Sequence, residues 1–277
     1  MRIVHFSDVH FGAWVQSPRA LFDKRILGLL NYMIRRRPHM REDYVRKAIG
    51  RIHELQPDCV VCTGDVTCVG SLPEFAKAKD LLHPLVNTQD FDFIYVPGNH
   101  DAYVRDSRCR RALTEAFEHL NRGRWSLDEL PVRHRIQDVE FLLVNECMPT
   151  PIWGSYGALT AKAREALLDW YDEPRASSKA RILIGHFPTR RKNGAKLARR
   201  RELRGGDVIR EGLVSGNLNL SLCGHIHDPY INAFESDALE VCTGSLTTHG
   251  RMDIVDIDAA GGVSQSWESV AGAQKEA

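Results

Sequence analysis

The sequence predicts an α/β fold, because short apolar runs of strand length alternate with segments of helix length along most of its 277 residues. The apolar runs end at Gly, Pro, Asp or Asn, residue types that interrupt regular structure. No internal repeat, low-complexity stretch or linker divides the chain. We therefore predict a single domain over residues 1–277.

Six apolar runs are predicted as strands: Ile3–Phe6, Cys59–Cys62, Phe93–Val96, Phe141–Val144, Ile182–Ile184 and Leu218–Leu222. Four segments between them are predicted as helices: Tyr44–Leu55, Pro73–Val86, Cys109–Leu120 and Thr160–Tyr171. Ser71 and Glu74 form the pattern of a capping box before the second helix, and Thr160 is predicted to cap the fourth.

The last third of the chain has a different pattern. Its apolar runs follow one another through short turns without a helix between them: Tyr230–Phe234, Leu239–Val241 and Met252–Ile257. Strands joined in this way usually pair antiparallel. We therefore expect them to form a second, more antiparallel sheet.

Composition argues against several classes of protein. The 37 basic and 36 acidic residues give a formal net charge of +1, so no nucleic-acid partner is expected. No run approaches the roughly 18 apolar residues that a membrane span requires.

The cysteines and the N-terminus indicate a reducing compartment. The cysteine count of seven is odd, and the chain enters its first strand without the architecture of a signal peptide, so a cytoplasmic protein is expected. Cys59 and Cys62 form a CxxC within an apolar run, which favours packing in a buried strand over a redox or zinc site.

Polar side chains follow nearly every predicted strand, in the motifs Ser7-Asp8-Val9-His10, Thr63-Gly64-Asp65, Gly98-Asn99-His100-Asp101, Gly185-His186-Phe187 and Gly224-His225-Ile226-His227. One aspartate or histidine after a strand is usually a turn former. Five such groups after five strands indicate a binding site, because ligands bind at the carboxyl ends of strands in α/β sheets.

The motifs also have a spacing that suits metal ions. In an extended backbone, residues i and i+2 point to the same side, so Asp8 with His10, and His225 with His227, are predicted to face one way. The set offers two carboxylates, four imidazoles and one amide oxygen, enough for two adjacent cations that share a bridging carboxylate.

In these motifs the sequence resembles the calcineurin-like metallophosphoesterases, from residue 8 to residue 227, with no ligand position missing. The resemblance implies the four-layer core of that family, in which two mixed β-sheets pack face to face and are flanked by helices. It also implies metal-dependent hydrolysis of phosphodiester or diphosphate bonds, with no covalent enzyme intermediate.

The resemblance implies a role for each motif residue. One divalent ion would be held by Asp8, His10 and His227, the other by Asn99, His186 and His225, and Asp65 would bridge the two. His100 would face the scissile phosphate, where it stabilises the transition state or protonates the leaving oxygen. Asp101 would orient the His100 ring and favour its protonated form. A site without a thiolate suits manganese, iron or zinc, and manganese is the predicted ion.

The remaining histidines are expected to pack in the core or on the surface: His5, His39, His53, His83, His119 and His134. His249 follows Gly244-Ser245, and the sequence leaves open whether it lines the site.

A basic amphipathic helix is predicted as an insertion over about residues 19–41. Between positions 19 and 47 there are nine Lys or Arg and three acids, and an apolar stripe follows helical spacing at Phe22, Ile26, Leu29, Leu30 and Met33. Such a helix can dock on an anionic membrane surface or hold an acyl chain. Alternatively, the stripe packs on the core of the protein.

A second basic run follows His186. Arg190, Arg191 and Lys192 begin it, and they are predicted to bind a diphosphate, since guanidinium groups bind phosphate oxygens in pairs. The run continues with Lys196, Arg199, Arg200, Arg201 and Arg204. A solvated, charged loop is the alternative interpretation.

Both basic segments, at residues 24–31 and in the arginine run, resemble stretches in the family branch that hydrolyses UDP-2,3-diacylglucosamine in lipid A synthesis. This resemblance implies that Arg25 contacts the substrate and that the products are a lipid monophosphate, lipid X, and UMP. One form of that enzyme has arginine where this chain has His100, so the resemblance is to the histidine-bearing form. A lipid-linked nucleotide substrate would place the protein peripherally on the inner face of the membrane.

Other functions share the same motifs. The main alternative is a cyclic-nucleotide phosphodiesterase, which would need no apolar docking surface. A DNA nuclease is disfavoured by the near-neutral charge and by the absence of a DNA-clamping domain. A non-catalytic scaffold would most readily have lost ligands, and here the set is complete.

Overall fold

The computed structural model describes residues 1–13, 24–25, 40–175 and 178–271. Among these residues, five strands form the first sheet: β1 (Arg2–Phe6), β2 (Cys59–Cys62), β3 (Asp92–Tyr95), β12 (Arg251–Ile257) and β13 (Val263–Ser269). Their order is β13-β12-β1-β2-β3. Strands β1, β2 and β3 run parallel, so their carboxyl ends share one edge, while β12 and β13 pair antiparallel.

The second sheet of the described chain contains β4 (Val132–Ile136), β5 (Val139–Leu143), β7 (Ala180–Ile184), β9 (Leu220–Cys223), β10 (Tyr230–Ala233) and β11 (Leu239–Cys242). Their order is β10-β11-β9-β7-β5-β4. The four central strands are parallel and the two edge strands antiparallel. A short parallel pair, β6 (Gly157–Ala158) and β8 (Leu203–Arg204), joins two loops.

Six helices are present in the described residues: α1 (Glu42–Leu55), α2 (Leu72–Val86), α3 (Ser107–Leu120), α4 (Ala161–Asp172), α5 (Asp207–Ser215) and α6 (Leu246–His249). Two short 3₁₀ turns lie at Leu127–Glu129 and Lys192–Gly194. None of these helices is long and apolar enough to cross a membrane.

The core confirms the predicted arrangement of two facing sheets with flanking helices. Phe141 and Leu143 of β5 belong to the large apolar cluster that also contains β1, β2 and β3, whereas Leu142 packs with α4 and α5 on the outer face. Alternate residues of one strand therefore reach different layers, as the period of two in a strand requires.

The predicted element bounds agree with the structure within about two residues, and the predicted caps of α2 and α4 are confirmed. The expectation for the last third was wrong in one respect. Strand β12 joins the first sheet beside β1, and only β10 and β11 join the second. Pairing between residues as distant as Arg2 and Asp256 leaves no trace in the local pattern from which strands are predicted.

The predicted packing of Cys59 and Cys62 is confirmed, since both are fully buried in β2 and both are free thiols. Of the predicted helical insertion at about 19–41, all but positions 24, 25, 40 and 41 lies outside the described residues.

The buried carboxyl of Glu74 makes the stability of this region depend on pH. Burial raises the pKa of Glu74 to about 7, although the backbone N–H groups of Ser71 and Val69 donate to its Oε2 at 3.0 and 3.1 Å. A carboxyl with a raised folded-state pKa contributes stability that is fully present below its ordinary pKa of 4.5 and is lost as the pH rises through 7.

We predict that Glu74→Gln, which cannot ionise, gains stability relative to the native chain between pH 4.5 and 7, by up to about 3 kcal/mol. Urea unfolding across this range measures the difference. The same substitution at the exposed Glu235 is the matched control. Parallel curves for Glu74→Gln and the native chain would contradict the prediction.

Candidate metal centre

Three side chains from the loops after β1 and β9 meet at one point. Asp8 Oδ1 lies 3.5 Å from Nε2 of His10 and 3.5 Å from Nε2 of His227, and these two nitrogens are 3.1 Å apart. Asp8 Oδ1 is buried and has no hydrogen-bond partner in the described part of the chain. A cation at this point could be bound by all three atoms, and no proton would then be needed between them.

A second group lies directly beside the first. Asn99 Oδ1 is 3.2 Å from His186 Nε2 and 2.7 Å from His225 Nδ1. Asp65 Oδ2 lies between the two groups, 3.8 Å from His10 Nε2 and 3.6 Å from His186 Nε2. The structure therefore brings all seven predicted ligands together, with Asp65 where a bridging carboxylate would lie.

Backbone carbonyls fix the protons on two of these rings. Nδ1 of His10 lies 3.1 Å from the carbonyl oxygen of Thr67, and Nδ1 of His186 lies 2.6 Å from that of Thr63. A carbonyl oxygen can only accept a hydrogen bond, so each Nδ1 carries the proton and each Nε2 offers a lone pair to the centre.

Burial and neighbouring charge set the protonation states. Burial lowers the pKa of His186, and it lowers the pKa of His225 well below its ordinary value. For Asp8, burial alone would raise the pKa, but contacts with His10, His227 and His186 hold it well below the ordinary range. His186 and His225 are therefore neutral and Asp8 is ionised, the forms in which these groups bind metals.

The backbone at the centre differs from the extended geometry that the i, i+2 spacing predicted. Strands β1 and β9 end at Phe6 and Cys223, and Asp8, His10 and His225 have positive φ angles of 53°, 47° and 64°. Asp65 has a φ of 53°. Left-handed residues of this kind cost of order 1 kcal/mol each and cluster where function requires a special direction of the side chain. The predicted ligands do converge, but left-handed turns, and not an extended backbone, bring them together.

Glycine at position 224 is required by close packing. A Cβ there would lie 2.1 Å from Ser7 Oγ and 2.4 Å from Asp8 Oδ2. Because glycine has no Cβ, the backbone N–H of His225 can approach Asp8 and donate to its Oδ2 at 3.0 Å. The loops after β1 and β9 can therefore pack this closely only because residue 224 has no side chain.

His100 lines the cavity above the centre, and among the described residues the carboxylate of Asp101 does not contact its ring. Nδ1 of His100 lies 2.5 Å from the carbonyl oxygen of Cys68, and the ring stacks on Tyr103 with a centroid separation of 5.2 Å. The carboxylate of Asp101 instead accepts from Tyr95 Oη and from the backbone N–H of Thr67 and Gly98, each at 2.9 Å. The geometry does not support the orienting role predicted for Asp101, because its oxygens are occupied in holding two loops together.

Arginines line one wall of the cavity, whose volume is about 430 Å³. Among the predicted substrate-binding residues, Arg191 lines it, whereas Arg190 and Lys192 do not. Arg200 and Arg201, from further along the same basic run, line it as well. We refer to Arg191, Arg200 and Arg201 as the arginine wall.

Arg25 lies apart from this cavity. Its guanidinium is buried and contacts Asp106 Oδ2 and Cys109 Sγ, each at 3.3 Å. This position assigns Arg25 to packing against the start of α3, so its predicted contact with the substrate is not supported by the geometry.

Glu146 is a supporting residue that the sequence interpretation missed. Its Oε2 accepts from the backbone N–H groups of His186 and Phe187, both at 2.8 Å, and burial raises its pKa to about 7. Like the predicted ligands, Glu146 follows a strand, β5. That position was the available signal.

Two of the remaining histidines can now be placed. His5 is fully buried, with Nε2 2.9 Å from Thr63 Oγ1, in agreement with the expected packing role. Nε2 of His249 lies 3.7 Å from Oδ1 of Asp228, which lines the cavity, whereas His249 itself does not.

Three comparisons relate the chain to known proteins. The model of the family described as calcineurin-like phosphoesterase matches residues 1–229. No curated protein sequence matches the chain significantly.

Solved structures share the fold. A dimetal phosphatase from Danio rerio has 12% identity and a TM-score of 0.62, covering 95% of this chain and 98% of its own. The protein TT1561 of Thermus thermophilus has 13% identity and a TM-score of 0.56, with 96% and 97% covered. Purple acid phosphatase PPD1 from yellow lupin has 10% identity and a TM-score of 0.59, with 99% and 52% covered. At these identities the similarity shows the fold alone.

We predict that Gly224→Ala loses bound metal while keeping its fold, because the added Cβ displaces the carboxylate of Asp8. The metal content after dialysis against Mn²⁺, measured by atomic emission, is expected to fall by at least half, with an unchanged far-ultraviolet circular dichroism spectrum. Gly50→Ala is the matched control, since a Cβ there meets nothing within 4 Å. Full metal content in Gly224→Ala would contradict the assignment.

Proposed function

The chain belongs to the calcineurin-like phosphoesterases and is a metallophosphoesterase, and on that premise we propose that it cleaves the diphosphate of UDP-2,3-diacylglucosamine to give lipid X and UMP. The observation that carries the proposal is the arginine wall beside the candidate metal centre. Guanidinium groups bind phosphate oxygens in pairs, so the wall provides for a second phosphate beyond the one that is attacked.

The formal charges agree with a substrate that carries more than one negative charge. Two divalent cations exceed the charge of Asp8 and Asp65 by two, and the arginine wall adds three positive charges. The negative charge of Asp228, which also lines the cavity, offsets one of these positive charges. A diphosphate supplies more of the compensating negative charge than a single phosphodiester does.

The centre fits two divalent ions, and manganese is the ion we propose. Asp8, His10 and His227 would hold one ion, Asn99, His186 and His225 the other, and Asp65 both. When bound, such ions lower the pKa of a water molecule and neutralise charge on phosphoryl oxygens.

The chain itself positions His100 for its proposed role. Among the described residues, three groups contact the ring: the carbonyl of Cys68 at Nδ1, Tyr103 on one face, and His10 with a centroid separation of 4.8 Å at 83°. A ring held in this way needs little reorganisation when it stabilises charge on the phosphoryl group or protonates the leaving oxygen.

The experiment that tests the function compares three substrates: UDP-2,3-diacylglucosamine, cyclic AMP and an aryl phosphodiester. Each is assayed with Mn²⁺ and with chelator. Efficient, metal-dependent release of UMP is expected, and preferential cleavage of cyclic AMP would instead assign a cyclic-nucleotide phosphodiesterase. Asn99→Ala is expected to lower kcat/KM by about 100-fold or more, because loss of a metal ligand costs at least as much as loss of a residue that hydrogen-bonds to a ligand.

The arginine wall gives a second prediction. Arg200→Gln and Arg201→Gln are each expected to raise KM for the diphosphate by roughly tenfold to a hundredfold, since a hydrogen bond to a charged group contributes about 1.5–3 kcal/mol. KM for the aryl phosphodiester should change little. Arg210→Gln, on the exposed side of α5, is the matched control. Equal losses on both substrates would place the arginines on the attacked phosphate instead.

A further inference from the structure

An exposed apolar turn projects beside the mouth of the metal-centre cavity. The backbone N–H of Gly154 donates to the carbonyl of Pro151 at 2.9 Å, which closes a four-residue turn with Ile152 and Trp153 at its two central positions. Trp153 is 77% exposed and Ile152 is 50% exposed. Turn tips normally carry Gly, Asn, Asp or Ser, so two large apolar side chains there are unusual.

Side-chain and backbone contacts fix this turn. Thr150 Oγ1 donates to the carbonyl of Gly154 at 2.6 Å, and Lys24 Nζ donates to that same carbonyl at 3.1 Å and to Thr150 Oγ1 at 2.9 Å. The backbone N–H of Ser155 donates to the carbonyl of Arg200 at 2.8 Å. The contacts therefore hold the two apolar side chains out in solvent.

The turn is joined to the most basic part of the chain. Residues 190–204 contain eight Lys or Arg and one acid, Glu202. Lys192, Lys196, Arg199 and the arginine wall are all exposed. Near the turn, Glu146 is buried, Asp228 is exposed at the cavity, and Asp106, which shares a cavity with Thr150 and Pro151, is paired with Arg25 and Arg108. The surface around the turn is therefore strongly cationic.

We propose that the Ile152–Trp153 turn and the basic run 190–204 form a docking surface for an anionic lipid bilayer. Tryptophan and isoleucine enter the boundary between headgroups and acyl chains, and nearby basic side chains add about 1 kcal/mol each at an anionic leaflet. Ser155, directly after the turn, lines the same cavity as Asp65 and His227, so a docked protein turns the mouth of its metal centre toward the headgroups.

The observations favour a bilayer over a nucleic acid or a second copy of this chain as the partner of this surface. Isoleucine cannot stack on a base, so a nucleic acid would leave half of the apolar turn without a matching contact. A second copy of this chain meeting it through a twofold axis would bring two cationic surfaces together, around an apolar contact of only two residues per chain. The docking surface goes beyond the proposed reaction, since bilayer binding can be measured whichever phosphoester is cleaved.

The test is co-sedimentation of the full chain with vesicles of mixed phosphatidylglycerol and phosphatidylcholine, and with vesicles of phosphatidylcholine alone. The native chain is expected to bind the anionic vesicles and to be released by salt. The double variant Ile152→Ser, Trp153→Ser should bind on the order of tenfold more weakly, because it loses the apolar contact. Lys196→Gln and Arg199→Gln should each weaken binding about fivefold.

Controls separate docking from misfolding and from catalysis. Val214→Ser removes an apolar side chain of similar exposure, 51%, on α5 and should bind as the native chain does. The double variant should hydrolyse a soluble aryl phosphodiester at the native rate. In Trp153→Phe, binding should persist while quenching of tryptophan emission by brominated lipid decreases.

Four outcomes would overturn the proposal. The first two are that the native chain fails to bind anionic vesicles and that the double variant binds them as tightly as the native chain. The third is that binding of a single-stranded oligonucleotide, and not of vesicles, depends on Ile152 and Trp153. The fourth is that analytical ultracentrifugation shows a native dimer and a monomeric double variant.

Discussion

The contact on which the rest of the site depends is the close approach of groups that offer lone pairs to one another. Asn99 Oδ1 lies 3.2 Å from His186 Nε2, and Asp8 Oδ1 lies 3.5 Å from His10 Nε2. Such contacts are unfavourable in a buried environment unless a cation lies between the groups. The surrounding fold therefore has to hold them in place against their mutual repulsion.

Buried acidic side chains do much of this work by joining the loops that carry the ligands. Asp101 ties the loop after β2 to the loop after β3, and Glu146 holds the loop after β7. Asp8 and Asp65 combine this role with their proposed role as ligands, since one oxygen of each accepts a backbone N–H, from His225 and from His100. Hydrogen bonds from backbone N–H groups to a buried carboxylate are among the stronger ones available. Hydrogen bonds within the protein therefore join the loops that carry the ligands.

The two-sheet architecture explains why one side of the molecule carries so much chemistry. The parallel strands β1, β2 and β3 bring their loops to one edge of the first sheet, and β7 and β9 bring theirs to the corresponding edge of the second. The short pair β6 and β8 then joins the loop with the Ile152–Trp153 turn to the basic run. Phosphate chemistry, cationic side chains and an exposed apolar turn therefore occupy neighbouring positions around one cavity.

The α/β class, most strand and helix bounds and the seven candidate ligands can be predicted from the sequence, because apolar runs mark the strands locally and the ligands stand in the loops that follow them. Tertiary structure alone decided the pairing of β12 with β1, the left-handed turns at Asp8, His10, Asp65 and His225, and the partners of Asp101. It also selected Arg191, Arg200 and Arg201 from the basic run to face the cavity, while Arg25 packs elsewhere. The physical reason is the same in each case: the pattern of apolar and polar residues fixes which segments are buried, whereas the partner of a side chain depends on segments far away in the chain.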